Sequence, residues 1–271
     1  MEKVGLLAGI GNLPVEFMRA AKQSCHEVVV IAVVEDVAPE LAAEADVYYE
    51  INVAKLNKII KTLLKHDVTK VTMIGKVTKE ILFKGLKMPD LRALKLLNRL
   101  RNRKDDTIML AIVDELAKDG IEVVDQTLYL KPLMPAPGVL TKRQPTEAEA
   151  DDIRFGFATA KAIGGMDIGQ TVVVRHKAVM AVEAIEGTDA CIRRGGALGR
   201  KESVVVKVAK PNQDQRFDVP AVGMTTLESM IESNCNVLAV EAGRTLFVEQ
   251  EQVLAAADAH HICICAVDQT F

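Results

Sequence analysis

Residues 28 to 34 read Val-Val-Val-Ile-Ala-Val-Val, apolar without a break. A strand with one face in water alternates polar and apolar positions, so this run calls for cover on both faces, as in a parallel sheet flanked by helices. The neighbouring segments agree. Lys3 to Ala8 is another strand candidate, ending in Gly9-Ile10-Gly11-Asn12-Leu13-Pro14. Pro14 suits the first turn of a helix reaching Lys22, where its missing N–H costs nothing. Leu56, Ile59, Ile60, Leu63 and Leu64 lay an apolar stripe along a helix, and Lys70 to Gly75 reads as a further strand. Such strand–helix–strand units predict an α/β domain with a largely parallel sheet.

Further along, Leu91, Leu94, Leu97 and Leu100 have helical spacing and are expected to pack that helix. Asp105-Asp106-Thr107 offers side-chain caps to a helix from Ile108 to Lys118, and Ile121 to Val124 begins another strand. Pro132, Pro135, Pro137 and Pro145 then fall close together with Gly138, a density that neither a helix nor a central strand tolerates. This places a first domain over 1–132, a linker over 133–145 and a second domain over 146–271. Thr146-Glu147-Ala148-Glu149 has the residue types of a capping box and opens a helix through about Ile163. Thr171 to Arg175 and Ala178 to Ile185 read as paired strands around a His176-Lys177 turn. Helices over 188–198, 225–233 and 250–258 alternate with strands over 204–209, 237–240, 245–248 and 262–267. The second domain is therefore mixed α/β.

Composition narrows the function classes. With 34 basic and 37 acidic residues, net charge −3, the chain has no global field for a polyanion such as nucleic acid. The absence of Trp and an aromatic content of 4% argue against a stacking platform for single strands. Five Cys include no Cys-x-x-Cys pair, and Cys263 and Cys265 share one face of a strand as small hydrophobes. The start lacks the pattern of a secretory signal, and seven apolar residues fall far short of the roughly 20 that a membrane helix needs. These features predict a cytoplasmic protein without a transmembrane helix.

Several clusters suit chemistry on phosphates. The Gly9-x-Gly11 turn fits either a phosphate contact or a tight strand-to-helix turn, and Glu35 and Asp36 end the second strand where a ribose-binding acid is expected. Pro14 occupies the place of the third glycine in the dinucleotide fingerprint. A basic region follows, with Lys76, Lys79, Lys84, Lys87, Arg92, Lys95, Arg99, Arg101, Arg103 and Lys104, suited to a solvated helix face or to an anionic ligand or lipid surface. Glu183, Glu186, Thr188 and Asp189 fit either helix capping or a metal or substrate role beside Arg193-Arg194-Gly195-Gly196. If the strand continued through residue 186, Glu183 and Glu186 would point to opposite faces. Between prolines, Lys210, Asp214, Arg216 and Asp218 bring cations and carboxylates into one polar loop, and Glu241-Ala242-Gly243-Arg244 repeats that pairing. Oxygen-rich ligands favour magnesium or manganese over zinc.

Taken together, Gly5 to Pro14, Gly75-Lys76-Val77, Asp105-Asp106-Thr107, Asp167-Ile168-Gly169-Gln170, Ala181 to Asp189, Lys210 to Pro220 and Glu241 to Arg244 resemble a known family. It is that of the bacterial UDP-2,3-diacylglucosamine pyrophosphatases of the lipid A pathway. The resemblance implies a Rossmann-like N-terminal domain, a distinct C-terminal domain and a diacylated UDP-glucosamine substrate held between them. It also implies hydrolysis dependent on Mg2+ or Mn2+, with water attacking the uridine-side phosphorus to release UMP and 2,3-diacylglucosamine 1-phosphate. Asp218 is the carboxylate that matches the family's catalytically important Asp, a choice over Asp214 that only the resemblance makes. Lys210 and Arg216 are expected to act with it, Asp189 and Glu186 to join it on the metal, and Gly9, Gly11, Asn12, Lys76, Asp106, Thr188, Arg193, Gln213 and Arg244 to meet substrate. The amphiphilic substrate suggests peripheral contact with the cytoplasmic face of the inner membrane, and a homodimer suits the family. Two alternatives remain: a nucleotide-dependent oxidoreductase using the Gly9-x-Gly11 turn, and a non-enzymatic regulator that binds the lipid nucleotide.

Overall fold

The computed structural model describes residues 2–77, 89–100, 105–200 and 202–271. They form two compact units, Met1–Leu130 with Gln215–Phe217, and Lys131–Asp214 with Asp218–Phe271. In the first unit, strands β1 (Lys3–Ala8), β2 (Glu27–Ala32), β3 (Val47–Glu50), β4 (Lys70–Ile74) and β5 (Glu122–Val123) make one sheet in the order β3-β2-β1-β4-β5. Every pairing in it is parallel, from Lys3↔Glu27 through Val71↔Val123. This is the Rossmann order 3-2-1-4-5-6 through its fifth strand. The apolar run supplies most of β2, an interior strand between β3 and β1, and Val28 through Ile31 are wholly buried.

Helices α1 (Leu13–Gln23), α2 (Glu40–Glu44), α3 (Leu56–Lys65), α4 (Leu91–Arg99) and α5 (Asp105–Ala117) belong to this unit. Pro14 lies in the first turn of α1, as its fixed φ favours. Two expectations shift. Helix α5 is described from Asp105, so Asp105 and Asp106 lie within the helix and its start is not at Ile108. On α4, Ala93 and Leu96 are buried and Leu97 and Leu100 pack partly against the core, whereas Leu91 and Leu94 are exposed. The cause is local: the Asp90 carboxylate caps α4 by accepting from the N–H groups of Arg92 and Ala93, and it also accepts from Asn57 N at 2.7 Å. That fixes the rotation of the helix and turns the 93/96/97/100 stripe inward. Arg92 bonds Glu115 at 2.7 Å and also pairs with Asp119, tying α4 to the end of α5. From the basic region, Lys79, Lys84, Lys87, Arg101, Arg103 and Lys104 lie outside the described residues.

The second unit is built on a six-stranded sheet of β6 (Gly138–Val139), β7 (Thr171–Arg175), β8 (Ala178–Val182), β9 (Ser203–Lys207), β11 (Cys235–Glu241) and β13 (Cys263–Val267). Its order is β6-β13-β11-β9-β7-β8, parallel across β13, β11 and β9 and antiparallel elsewhere. The alternation along each strand explains both cores. Val172, Val174, Val204, Val206, Cys263 and Cys265 face α6 (Glu147–Gly165). Val173, Val205, Leu238, Ile264 and Ala266 face α7 (Thr188–Gly199), α8 (Met224–Glu232) and α9 (Gln250–Ala259). Period-2 side chains buried on both faces give a helix–sheet–helix sandwich. A small parallel pair, β10 (Ala221–Val222) with β12 (Leu246–Phe247), completes the unit.

Local signals in this half act as read. Thr146 and Glu149 form a reciprocal capping box at the start of α6. His176 and Lys177 take positive φ values of 50° and 56°, the backbone of a tight hairpin turn, and Asp152 accepts from both of their N–H groups. Part of the stretch expected as a linker is structured: Gly138–Val139 is an edge strand on β13, anchored by Leu140 N to Ile264 O at 2.8 Å. Prolines just before an edge strand remove no ladder bond, so their density did not exclude one.

Candidate active site

In the first unit the gap between the ends of β1 and β4 is zipped shut. Gly9 N donates to Ile74 O at 2.8 Å, and Ile10 and Lys76 then exchange two backbone bonds at 2.8 and 3.0 Å. A Cβ on Gly9 would meet the Gly75 backbone at 2.8 Å, and Gly75 itself takes φ +100°. Gly9 is therefore needed for backbone packing, the structural side of the alternative read from sequence. Gly11 and Asn12 are exposed at the start of α1, and the Lys76 side chain is exposed as well. Asp106 lies in the first turn of α5.

Beside this zipper is a cavity of about 320 Å³ with mostly apolar walls, among them Leu7, Val33, Met73, Ala93, Leu96 and Phe217. A second cavity of about 540 Å³ lies at the carboxyl ends of β2 and β3, lined by Glu35, Asp36, Tyr48, Glu50 and Asn52 among others. Burial, with the neighbouring Glu50, raises the Tyr48 phenol above its ordinary range.

In the second unit, topology gathers the polar motifs at one edge of the sheet. Glu183 follows β8, Lys210 to Asp218 follow β9, and Glu241 ends β11. These strands run in the same direction, so all three motifs emerge at their carboxyl ends, where ligands of open α/β sheets bind. The strand β8 stops at Val182, which removes the premise that Glu183 and Glu186 alternate across it. Glu183 turns inward and is 7% exposed; Glu186 is exposed, paired with Arg194 and accepting from Ala184 N at 3.2 Å. Gly169 makes the inward turn feasible, since a Cβ there would fall on the Glu183 carbonyl oxygen.

Helix capping does not account for Thr188 and Asp189. Gly187 is the N-cap of α7 and no side chain caps it. Thr188 Oγ1 instead donates to Glu183 Oε1 at 2.8 Å and accepts from Lys207 Nζ at 3.2 Å. Lys207 is a residue that sequence reasoning missed. The alternation that sends Val205 toward α7 sends Lys207 the same way, where it is 6% exposed and donates to Ala221 O at 2.8 Å. Burial pushes its ammonium below the usual lysine range, while the charges of Glu183, Asp189 and Asp218 pull it back up. The available signal was a cation closing a strand with an all-Val interior, Ser-Val-Val-Val-Lys.

The remaining candidates are placed as follows. Asp218 is half-buried, with its N–H on Asp214 O at 3.0 Å. Lys210 Nζ is 2.7 Å from Asp167 Oδ1, and its N–H donates to Gln213 Oε1 at 2.8 Å. Gln213 Nε2 reaches Gln170 Oε1 at 3.2 Å, so the Asp-Ile-Gly-Gln motif braces the loop. Arg216 belongs to the segment counted with the first unit, where its guanidinium lies over the Phe217 ring, 5.9 Å from the centroid. Arg193 pairs with Glu232 at 2.7 Å on exposed helix surface, and Arg244 is half-buried beyond β11. Glu241 is locked to Lys161 at 2.6 Å. Thus Glu183 and Lys207 meet through Thr188, and the other Lys207 partner, Ala221, lies three positions after Asp218, while Glu186 and Arg193 are engaged with other partners.

No three His, Cys, Asp or Glu side chains among the described residues converge as a metal cage. Magnesium commonly takes only one or two protein carboxylates and completes its shell with water and substrate phosphates. Asp189, in the first turn of α7, and Asp218, three positions before β10, are carboxylates of the kind that mode uses. Burial lifts the Cys191 and Cys235 thiols to about 12 and about 11, which leaves neither as a nucleophile at neutral pH. No helix among the described residues is long and apolar enough to cross a membrane.

Comparison with solved structures finds only slight likeness. Glycinamide-RNase-transformylase T from Mycobacterium tuberculosis matches at 12% identity and TM-score 0.26, over 68% of this chain and 44% of that one. The biotin carboxylase subunit of pyruvate carboxylase matches at 13% identity and TM-score 0.26, over 68% and 36%. The chain thus spans less than half the length of either, and the scores are too low to bear on fold or function. Sequence comparison is decisive. The chain is 33% identical over 279 aligned positions to the UDP-2,3-diacylglucosamine pyrophosphatase LpxI of Caulobacter vibrioides, covering 99% of this chain and 98% of that protein. With the LpxI N-terminal domain matching residues 3–133 and the LpxI C-terminal domain matching 136–265, the chain belongs to the LpxI family.

Proposed function

We propose that this protein hydrolyses the pyrophosphate bond of UDP-2,3-diacylglucosamine, with water attacking the uridine-side phosphorus. The phosphorus–oxygen bond to the bridging oxygen breaks, giving UMP and 2,3-diacylglucosamine 1-phosphate, and the water oxygen stays with UMP. The observation that carries this reading is the buried polar cluster of Glu183, Thr188 and Lys207 at the carboxyl edge of the second-unit sheet, tied to the stretches that bear Asp189 and Asp218, in a chain of this family. Asp218 orients the attacking water and accepts its proton, while Lys210 offsets charge on the phosphate oxygens. Asp189 and Asp218 would hold a magnesium or manganese ion, which when bound neutralises charge on the pyrophosphate.

The apolar cavity of the first unit has the chemistry of an acyl-chain site, each buried methylene contributing about 0.8 kcal/mol. The acidic cavity beyond β2 and β3 suits sugar hydroxyls, where Glu35 and Asp36 were read as ribose-binding acids. An amphiphilic substrate further requires transient access to the inner membrane surface from the cytoplasmic side, which no transmembrane helix is needed to provide.

The test is incubation of purified protein with UDP-2,3-diacylglucosamine, with magnesium, with manganese and with chelator, followed by mass spectrometry. UMP and 2,3-diacylglucosamine 1-phosphate should appear in equal amounts, and only with the metals. Tight substrate binding without turnover would instead favour a lipid-nucleotide binding protein.

A further inference from the structure

Lys207 is held from three directions. Its backbone is fixed at the end of β9, in register with Val240 of β11 on one side and Thr171 of β7 on the other. Its Nζ donates to Thr188 Oγ1 at 3.2 Å and to Ala221 O at 2.8 Å, a hydroxyl and a backbone carbonyl. Thr188 is the first residue of α7 and directly precedes Asp189. Ala221 opens β10, three positions beyond Asp218, at the close of a segment, 208–220, that has no regular secondary structure. One buried nitrogen therefore joins the rigid sheet to the two short stretches that carry Asp189 and Asp218.

We propose that Lys207 is a positioning residue for this reaction, setting where Asp218 stands relative to Asp189. The proposal rests on the reading in which Asp218 acts on the attacking water. A hydrocarbon at position 207 would leave Ala221 O and Thr188 Oγ1 without this donor. The segment bearing Asp218 then relaxes away from its working position, and displacement of a reacting group by about 1 Å can cost about 10²-fold in rate. Arginine at 207 keeps a cation and N–H donors, though with a different reach.

The test compares Lys207→Met, Lys207→Arg and Thr188→Val in the full-length protein, measuring kcat, KM and thermal midpoint. Lys207→Met is expected to lower kcat by about 10- to 100-fold with KM within about twofold of the parent, the pattern of a lost transition-state arrangement. Lys207→Arg should recover part of that kcat. Thr188→Val, which removes one of the two bonds while keeping side-chain shape, should lower kcat by a smaller factor and keeps the proposal testable if Lys207→Met does not fold. A folded Lys207→Met with parental kcat would overturn the proposal, as would a parental kcat in Thr188→Val when Lys207→Met is unfolded. Equal loss in Lys207→Met and Lys207→Arg together with a collapsed thermal midpoint would also overturn it, because that outcome assigns a packing role alone. Asp218→Asn measured alongside separates the two ideas: full activity there defeats the underlying reading, whereas its inactivity beside a fully active Lys207→Met defeats only the role of Lys207.

Discussion

Asp218→Asn is expected to bind UDP-2,3-diacylglucosamine nearly as the parent does while kcat falls by about 10²- to 10⁴-fold, the range that a positioned acid or base contributes. The amide preserves shape and the N–H bond to Asp214 O, so the 214–218 turn has no reason to unfold. What disappears is a carboxylate charge that acts on the Lys207 ammonium and, in the proposed mechanism, the oxygen that takes the proton of the attacking water. Because the loss is confined to the transition state, KM is expected within about threefold of the parent. Steady-state kinetics with an independent binding measurement check this. An unchanged kcat would remove Asp218 from the reaction.

The largest expected effect on stability comes from a residue that sequence reading placed among the functional candidates. Glu241→Ala should destabilise the second unit by up to about 3 kcal/mol, the lower end of the cost of stranding one partner of a buried ion pair, because Lys161 is only part-buried. Lys161 Nζ donates to both Glu241 oxygens, at 2.7 and 2.6 Å, and to Ala209 O at 2.9 Å. Glu241 Oε2 in turn accepts from Ala209 N at 2.8 Å. The pair is thus a clamp on the root of the loop that carries Lys210 and Asp218. Urea unfolding should show the loss, and the double variant Lys161→Met with Glu241→Leu should recover much of it, since matched apolar replacement of a buried pair is often neutral or better. A Glu241→Ala protein as stable as the parent would show that the clamp contributes nothing net.

The first unit was legible because its signals are local. The unbroken Val28 to Val34 run, the Gly-rich turn with Pro14 and the stripe of α3 each demand one conformation, and together they give a parallel sheet. The short α2 and β3 were not seen: five and four residues carry too little periodicity to stand out. On α4 the spacing Leu91, Leu94, Leu97 and Leu100 was real but its rotation was set by the Asp90 cap, a contact that periodicity does not contain. In the second unit the motifs were legible as motifs, yet their partners were not. The distinction between Glu183 and Glu186 depended on where β8 ends. Glu241 reads as a site acid until Lys161, 80 residues earlier, is seen to neutralise it. Lys207 was hidden for the same reason: its significance comes from Thr188 and Ala221, 19 and 14 residues away, which only the fold brings to its ammonium.

The central claim is that water attacks the uridine-side phosphorus at this site, and a single turnover in oxygen-18 water tests it most directly. Mass spectrometry of both products should find one labelled oxygen in UMP and none in 2,3-diacylglucosamine 1-phosphate. Label in the lipid phosphate instead would place the attack on the sugar-side phosphorus and contradict the mechanism.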